Sequence, residues 1–177
     1  MNHDRYDDDY IAGILNDCRT IAMVGASANN SRPSYFAMKY LLAKGYTVHP
    51  INPGLAGQKL LGQTVCGALA DVPAPVNMVD IFRNSEAAGD VTREALSLKD
   101  QLGIKVVWMQ LGVRNDAAAE QAEAEGLRVV MNRCPKIEYG RLSGEIGWAG
   151  VNSGVISSLR PKLSAQGVQN HVLRTRT

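Results

Sequence analysis

A stretch between residues 21 and 34, IAMVGASANNSRPS, has the residue types and spacing of a turn that holds phosphate groups. Gly25 follows an apolar run where the backbone must turn sharply, and the small residues after it leave room for a ligand. A helix is predicted to begin at Pro33, and the free N–H groups at its start, from Ser34 to Phe36, favour an anion together with the helix dipole. The candidate phosphate-binding residues are Gly25, Ala26, Ser27, Arg32, Ser34 and Tyr35. A tight strand-to-helix connection without a ligand is the alternative, because the G-x-G-x-x-G pattern is absent.

The end of the next apolar strand, VHPINP, argues against NAD as the ligand. NAD sites of this type carry Asp or Glu here, to accept hydrogen bonds from the ribose diol, whereas this chain has Asn52 and Pro53. NADP would need a basic group nearby for its 2′-phosphate, and a 3′-phosphorylated adenosine would need the same kind of group. Lys59 is the candidate for either.

A thiol is the one candidate nucleophile. Cys134 stands in NRCPKIE between Arg133 and Lys136, and neighbouring cations favour the thiolate. One interpretation is a thiol that exchanges with a ligand sulfhydryl through a mixed disulfide, and the other is a small buried hydrophobe.

Other catalytic groups are sparse. The three histidines form no recognisable Ser-His-Asp arrangement, and His49 falls inside a strand, where packing is the favoured role. The three cysteines lack zinc-type spacing, and acidic residues show no Mg²⁺ pattern. We therefore expect no metal site and assign no catalytic residue.

Strand and helix patterns alternate along the chain, which predicts a doubly wound, Rossmann-like parallel sheet in a single α/β domain with helices on both faces. The predicted strands are Thr20–Val24, Tyr46–Ile51, Val76–Phe82, Ile104–Met109 and Leu127–Met131. The predicted helices are Tyr10–Cys18, one from Pro33 to about Gly45, one that runs to about Gln101, and Asp116–Glu125. Ligands of such sheets bind at the carboxyl ends of the strands, where the winding reverses. The loops predicted at that edge carry Arg32, Lys59, Arg83, Arg114, Arg133 and Lys136.

Composition indicates an ordinary soluble α/β protein. The formal net charge is only +2, which argues against general nucleic-acid binding. The sequence shows neither an apolar segment of membrane-spanning length nor a leader pattern, so we expect a cytoplasmic protein without a membrane partner. The first residues are acidic and the last are basic. We expect residues 1–9 and 163–177 to be extensions of a domain over residues 10–162, with the basic tail either solvated or closing over an anion.

Five blocks of the chain carry a resemblance to a known family: VGASANNSRPSYFAMKYLLAKGYTVHPINP, VDIFRNSE, VVWMQLGV, VVMNRCPKIEYGRL and GVNSGVISSLRPKL. Together they resemble the small stand-alone CoA-binding proteins, whose domain is similar to the CoA-binding domain of the succinyl-CoA synthetase α subunit. The resemblance implies that the turn at Gly25 and the adjoining helix hold the CoA phosphates. It implies further that Asn52 and Pro53 flank the nucleotide and that two segments, Phe82-Arg83 and Gln110-Leu111-Gly112, line the groove. The chain departs from the family pattern at Asn132, where Asp is expected, and at Cys66, where an aromatic residue is frequent.

Two classes of function follow. The first is non-enzymatic binding of coenzyme A or an acyl-CoA, as a sensor or carrier. The second is a small enzyme, either an NADP-type oxidoreductase or a thiol-dependent CoA-processing activity. The related ligases use a phosphorylated histidine loop and a nucleotide-grasping subunit, and this chain shows neither, so we favour binding. A homo-oligomer or a partner subunit that completes a site is compatible with either class.

Overall fold

The computed structural model describes residues 1–145 and Leu173. The chain divides into two compact units, Asp17–Cys134 and the described parts of Met1–Asn16 with Pro135–Thr177. The strands are β1 Thr20–Val24, β2 Thr47–Ile51, β3 Lys59–Leu60, β4 Gln63–Thr64, β5 Met78–Ile81, β6 Val106–Met109 and β7 Arg128–Val130. The helices are α1 Asp8–Asp17, α2 Pro33–Ala43, α3 Ser85–Ser97, α4 Lys99–Leu102, α5 Asp116–Ala124 and α6 Pro135–Ser143.

Five parallel strands form one sheet in the order β2-β1-β5-β6-β7. The chain winds outward from β1 to β2 on one side and from β5 to β7 on the other, so the winding reverses between β1 and β5. Helices α3 and α5 cover one face of this sheet, and the oppositely directed crossover places α2 on the other. This confirms the predicted doubly wound α/β fold.

Local signals explain where the helices begin and end. Pro33 opens α2 at a position that needs no N–H donor. The side chains of Asn84 and Asn115 cap α3 and α5, because each accepts from the backbone N–H three residues later, at 2.8 and 3.0 Å. The first and last residues of most predicted strands and helices agree with the structure to within two residues.

The helix predicted to run to about Gln101 is wrong at its end. Helix α3 stops at Ser97, and the four-residue α4 follows after Leu98. The Ser97 hydroxyl donates to the Glu94 carbonyl at 2.8 Å, and Leu98 N–H donates to the same carbonyl at 3.1 Å as the helix ends.

The main apolar cluster lies between the sheet and helices α3 and α5. Val79, Val107 and Val129 are register partners on three adjacent strands, and all are buried in this cluster. Side chains alternate along a strand, so Asp80, next to Val79, points to the opposite face of the sheet. That face carries the register row Met23, Asp80 and Trp108.

The unit that contains the chain start is held by an ion-pair network. Arg141 on α6 contacts the carboxylates of Asp8 and Glu138, each at 2.8 Å. Burial is the largest single influence on the pKa of Arg141 and lowers it. The two carboxylates together outweigh burial, so the pKa of Arg141 is raised. Asp8 belongs to the acidic extension predicted over residues 1–9, and in the structure it is the first residue of helix α1.

The basic tail over residues 163–177 lies outside the described residues except for Leu173, so the domain boundary at residue 162 stays a prediction. None of the described helices has the length and apolar character needed to cross a membrane.

Candidate functional site

The turn after β1 lies at the reversal of the winding, against the end of β5. Gly25 adopts φ +88°, and a Cβ at this position would come within 2.5 Å of the Phe82 carbonyl oxygen and 3.1 Å of Arg83 Cδ. Phe82 N–H in turn donates to the Val24 carbonyl at 2.8 Å. Only glycine therefore allows the two loops to approach this closely.

The turn is also tied to the loop after β2. Gly25 and Ala26 both donate their backbone N–H to the Ile51 carbonyl, at 3.0 and 3.2 Å. The Asn52 side chain donates from Nδ2 to the Ala26 carbonyl at 2.7 Å and accepts from Gly54 N–H at 2.9 Å. Both ends of the Asn52 amide are thus occupied within the protein. Asn52 supports the turn, while Pro53 begins the short 3₁₀ turn that follows.

The donors at the start of α2 differ from the expected set. The backbone N–H groups of Tyr35 and Phe36 donate to the Arg32 carbonyl, at 3.1 and 3.5 Å. Those of Ser27 and Ser34 have no partner among the described residues. The expectation of free N–H groups from Ser34 to Phe36 therefore holds for Ser34 alone, because the first turn of the helix uses the other two.

Of the six expected cations, two are available for an anion and three are engaged, and Lys136 lies on helix α6 in the other unit. Arg32 and Arg83 are exposed, and neither side chain bonds a described residue. Arg114 pairs with the neighbouring Asp116 at 2.8 Å. Lys59 donates to Thr64 at 2.7 Å across the β3–β4 hairpin, and Arg133 donates to the Asn132 carbonyl at 2.8 Å. Arg32 and Arg83 are therefore the expected cations whose side chains stay available among the described residues.

Two hydrogen bonds to neighbouring strands and loops hold the loop after β6 in place. Gln110 is 6% exposed, and its Nε2 donates to Asp80 Oδ1 at 2.8 Å. Gly112, with φ +76°, donates its N–H to Asn132 Oδ1 at 2.8 Å. Asn132 itself adopts φ +53°, a conformation that asparagine tolerates better than most residues. The Asn132 side chain therefore serves here as the acceptor for a backbone N–H.

Asp80 is a residue that sequence reasoning missed. It is fully buried, which raises the pKa of its carboxyl to about 7, although the Gln110 hydrogen bond opposes this shift. Its Oδ2 has no hydrogen-bond partner among the described residues. The available signal was a lone charge within the apolar strand VNMVDIF.

Cys18 and Cys134 are buried, whereas Cys66 and His49 are only partly buried. Cys134 is 9% exposed, and the neighbouring Arg133 carbonyl accepts from Trp108 Nε1 at 2.8 Å. Burial raises the pKa of the Cys18 thiol to about 11 and lowers the pKa of His49. Of the two interpretations of Cys134, its burial favours the packing one. The described residues contain no group of three His, Cys, Asp or Glu side chains arranged for a metal ion.

The predicted site residues thus lie at four places in the fold. Gly25, Asn52 and Arg83 lie on the adjacent strand ends of β1, β2 and β5. Gln110 and its loop follow on the next strand, and Cys134 follows the edge strand β7. Lys59 lies on the separate β3–β4 hairpin.

Comparison with protein families identifies the family to which the chain belongs. Residues 19–140 match the model of a CoA binding domain. The chain belongs to this CoA-binding domain family. It is 30% identical over 129 residues to the uncharacterized protein YneT of Bacillus subtilis strain 168, a match that covers 73% of this chain and 91% of YneT.

Solved structures support the family assignment. A hypothetical protein from Pyrococcus horikoshii OT3 is 35% identical, with a TM-score of 0.73 over 81% of this chain and 97% of that protein. An acetyl-coenzyme A synthetase from Ca. Korarchaeum cryptofilum, solved with phosphate and ADP, is 25% identical with a TM-score of 0.54. That match covers 64% of this chain and 26% of the synthetase, so the CoA-binding domain is similar to one part of a much larger enzyme.

Proposed function

We propose that this protein binds coenzyme A or an acyl-CoA at the carboxyl edge of its sheet, without catalysing a reaction itself. The observation that carries the proposal is the turn at Gly25, which lies at the reversal of the winding and is held by the Asn52 side chain. Arg83 lies beside this turn, and its side chain bonds no described residue. Parallel sheets bind nucleotides at this point. Membership of the CoA-binding family points to the same ligand.

Each part of the proposed site has a separate role. The amides of Ser27 and Ser34, with the positive end of α2, donate to the phosphates. Arg32 and Arg83 neutralise phosphate charge through charge-assisted hydrogen bonds. Asn52 acts by holding the turn, and Pro53 flanks the adenosine. The loop from Gln110 to Gly112 lines the groove for the pantetheine arm, which leads toward Cys134.

A carrier or sensor role is favoured over catalysis by the chemistry of the described side chains. His49 is half-buried, and burial lowers its pKa. Asp80 is fully buried within the sheet, away from solvent. A protein of this kind would hold a CoA thioester in a reducing cytoplasm, where its three free cysteines would persist, alone or with a second subunit.

Calorimetric titration with CoA, acetyl-CoA, NAD and NADP tests the ligand class. We expect CoA and acetyl-CoA to bind and to raise the melting temperature with concentration, and NAD and NADP to do neither at the same concentrations. Stabilisation by a nicotinamide nucleotide alone would overturn the proposal.

Prolonged incubation with acetyl-CoA, followed by thiol titration, tests the absence of catalysis. We expect free CoA to accumulate no faster than in buffer. Release of CoA that depends on protein concentration would show an enzyme instead.

A further inference from the structure

Asp80 occupies a position where a carboxyl group is costly. It is fully buried in β5, and its register partners on the neighbouring strands are Met23 and Trp108, both also fully buried. A buried carboxyl group without full hydrogen bonding destabilises a fold. One Asp80 oxygen, Oδ2, has no partner among the described residues. An apolar residue would suit this row better for packing alone.

The other oxygen of Asp80 controls the orientation of one side chain. Gln110 Nε2 donates to Asp80 Oδ1 at 2.8 Å. Because Oδ1 is the acceptor of this bond, the NH₂ group of the Gln110 amide is turned inward. The Gln110 carbonyl oxygen, Oε1, then faces away from Asp80, and it accepts no hydrogen bond from the described residues.

This oriented amide lies in the groove that the proposed function assigns to CoA. Gln110 directly follows β6, and its backbone N–H donates to the carbonyl of Ile81, the last residue of β5, at 3.3 Å. Phe82, which follows Ile81, lies against the turn at Gly25. Gln110 is therefore one strand away from the proposed phosphate site, on the side toward which a ligand extended along the sheet edge would run.

We propose that Asp80 is a positioning residue of the CoA site: it holds the Gln110 amide so that Oε1 accepts a hydrogen bond from an amide N–H of the pantetheine arm. This inference rests on the proposed function. Asp80 itself touches no ligand in this arrangement. Adenosine 3′,5′-bisphosphate, which has the nucleotide but no pantetheine arm, binds independently of the Asp80–Gln110 pair.

Titration of CoA and of adenosine 3′,5′-bisphosphate into the full chain tests this role. Asp80→Val suits a strand and removes the acceptor, and Gln110→Met removes the amide. We expect each to weaken CoA about five- to tenfold, the loss of one hydrogen bond, with the bisphosphate unchanged. The double variant should be no weaker than either single one, because both remove the same contact. Asp80→Asn, which still offers an acceptor, should restore CoA affinity to within about twofold.

A matched control is Thr92→Val. Thr92 is also fully buried, and its hydroxyl donates to the Ala88 carbonyl at 2.7 Å, but it lies on α3 away from the groove. We expect it to lower stability without changing affinity for either ligand. If Asp80→Val does not fold, Asp80→Ser replaces it, since the shorter side chain cannot reach the Gln110 amide.

The outcomes separate this inference from the proposed function. Failure of the unmodified protein to bind CoA would remove both. CoA binding that Asp80→Val leaves unchanged, or weakens equally for CoA and the bisphosphate, would reduce Asp80 to a structural residue and overturn the inference alone.

Discussion

The side-chain amide of Asn52 donates to the carbonyl of Ala26 across 2.7 Å, and so joins the loops that follow β1 and β2. The same side chain accepts from Gly54 N–H at 2.9 Å. Asn52 occupies the place where an NAD site has its ribose-binding acid. In this protein the position is used to hold the turn.

Replacement of Asn52 should weaken CoA binding through the shape of the turn. Asn52→Ala removes the clamp, and Asn52→Asp places a carboxylate oxygen opposite the Ala26 carbonyl, so we expect a loss of about tenfold or more in both. Titration calorimetry measures the effect. Asn115→Ala, which removes the cap of α5, is the control and should cost about 1 kcal/mol of stability with CoA affinity unchanged. CoA affinity retained in Asn52→Ala would show that the turn holds its shape without the clamp.

Gly25 and Gly57 form a matched pair of glycines. Both have positive φ, but a Cβ at Gly25 would meet the Phe82 carbonyl at 2.5 Å, whereas a Cβ at Gly57 meets no atom of the described residues within 4 Å. Gly57→Ala should therefore cost only the backbone strain, about 1–2 kcal/mol, and bind CoA normally. Gly25→Ala should cost more stability and strongly weaken CoA binding, because the β1 and β5 loops must separate. Chemical denaturation and titration of both variants measure this, and equal behaviour would remove the Gly25 turn from the site.

Arg83 should account for part of the salt dependence of CoA binding. Arg83→Gln removes a cation that has no partner in the described part of the chain, so we expect weaker binding and a shallower dependence on salt. Arg114→Gln is the control, since Arg114 already pairs with Asp116. Comparison of CoA with dephospho-CoA then identifies the contact. If Arg83 meets the 3′-phosphate, its replacement should weaken CoA and leave dephospho-CoA unchanged; an equal loss for both places Arg83 at the pyrophosphate.

Asp80 should make stability fall as pH rises toward neutrality. Burial raises its pKa from 3.8 to about 7, so between these values the folded protein binds the proton that the unfolded chain has lost. Its stabilising contribution is full below pH 4 and is lost as pH rises through 7. Asp80→Asn cannot ionise, so its unfolding free energy relative to the unmodified protein should increase by a few kcal/mol between pH 4 and 8. A constant difference across this range would show that the carboxyl titrates normally.

Cys134 should react with CoA disulfide only if the proposed site binds this reagent and brings its S–S bond to the thiol, which then forms the mixed disulfide and releases one CoA. Its 9% exposure predicts slow modification by glutathione disulfide, which has no affinity for the proposed site. Mass mapping should show a CoA adduct at Cys134 before Cys18 or Cys66, and Cys134→Ser should lose the adduct while it still binds CoA. Equal labelling of the three cysteines, or none at Cys134, would leave it a packing residue.

Much of the fold was accessible from local patterns. The apolar runs, Pro33 and the alternation of strand and helix predicted the parallel sheet and most element bounds, because these signals act between near neighbours. The β3–β4 hairpin is absent from the predicted strands, since its strands have only two residues each and carry no periodicity. The break after Ser97 is marked by neither a proline nor a glycine, so local patterns do not predict it.

By itself the sequence determined the order of strands and helices, the sharp turn at Gly25 and the resemblance that points to CoA, all of which are written in contiguous residues. Only the tertiary structure decided which polar groups form hydrogen bonds within the protein and which stay available to a ligand. The Asn52–Ala26 and Asp80–Gln110 contacts join residues 26 and 30 positions apart, so they exist only after β1 has paired with β2 and β5 with β6. The physical reason is that a hydrogen bond needs a partner within about 3 Å, and for residues so far apart the strand order of the sheet, not their types, sets that distance.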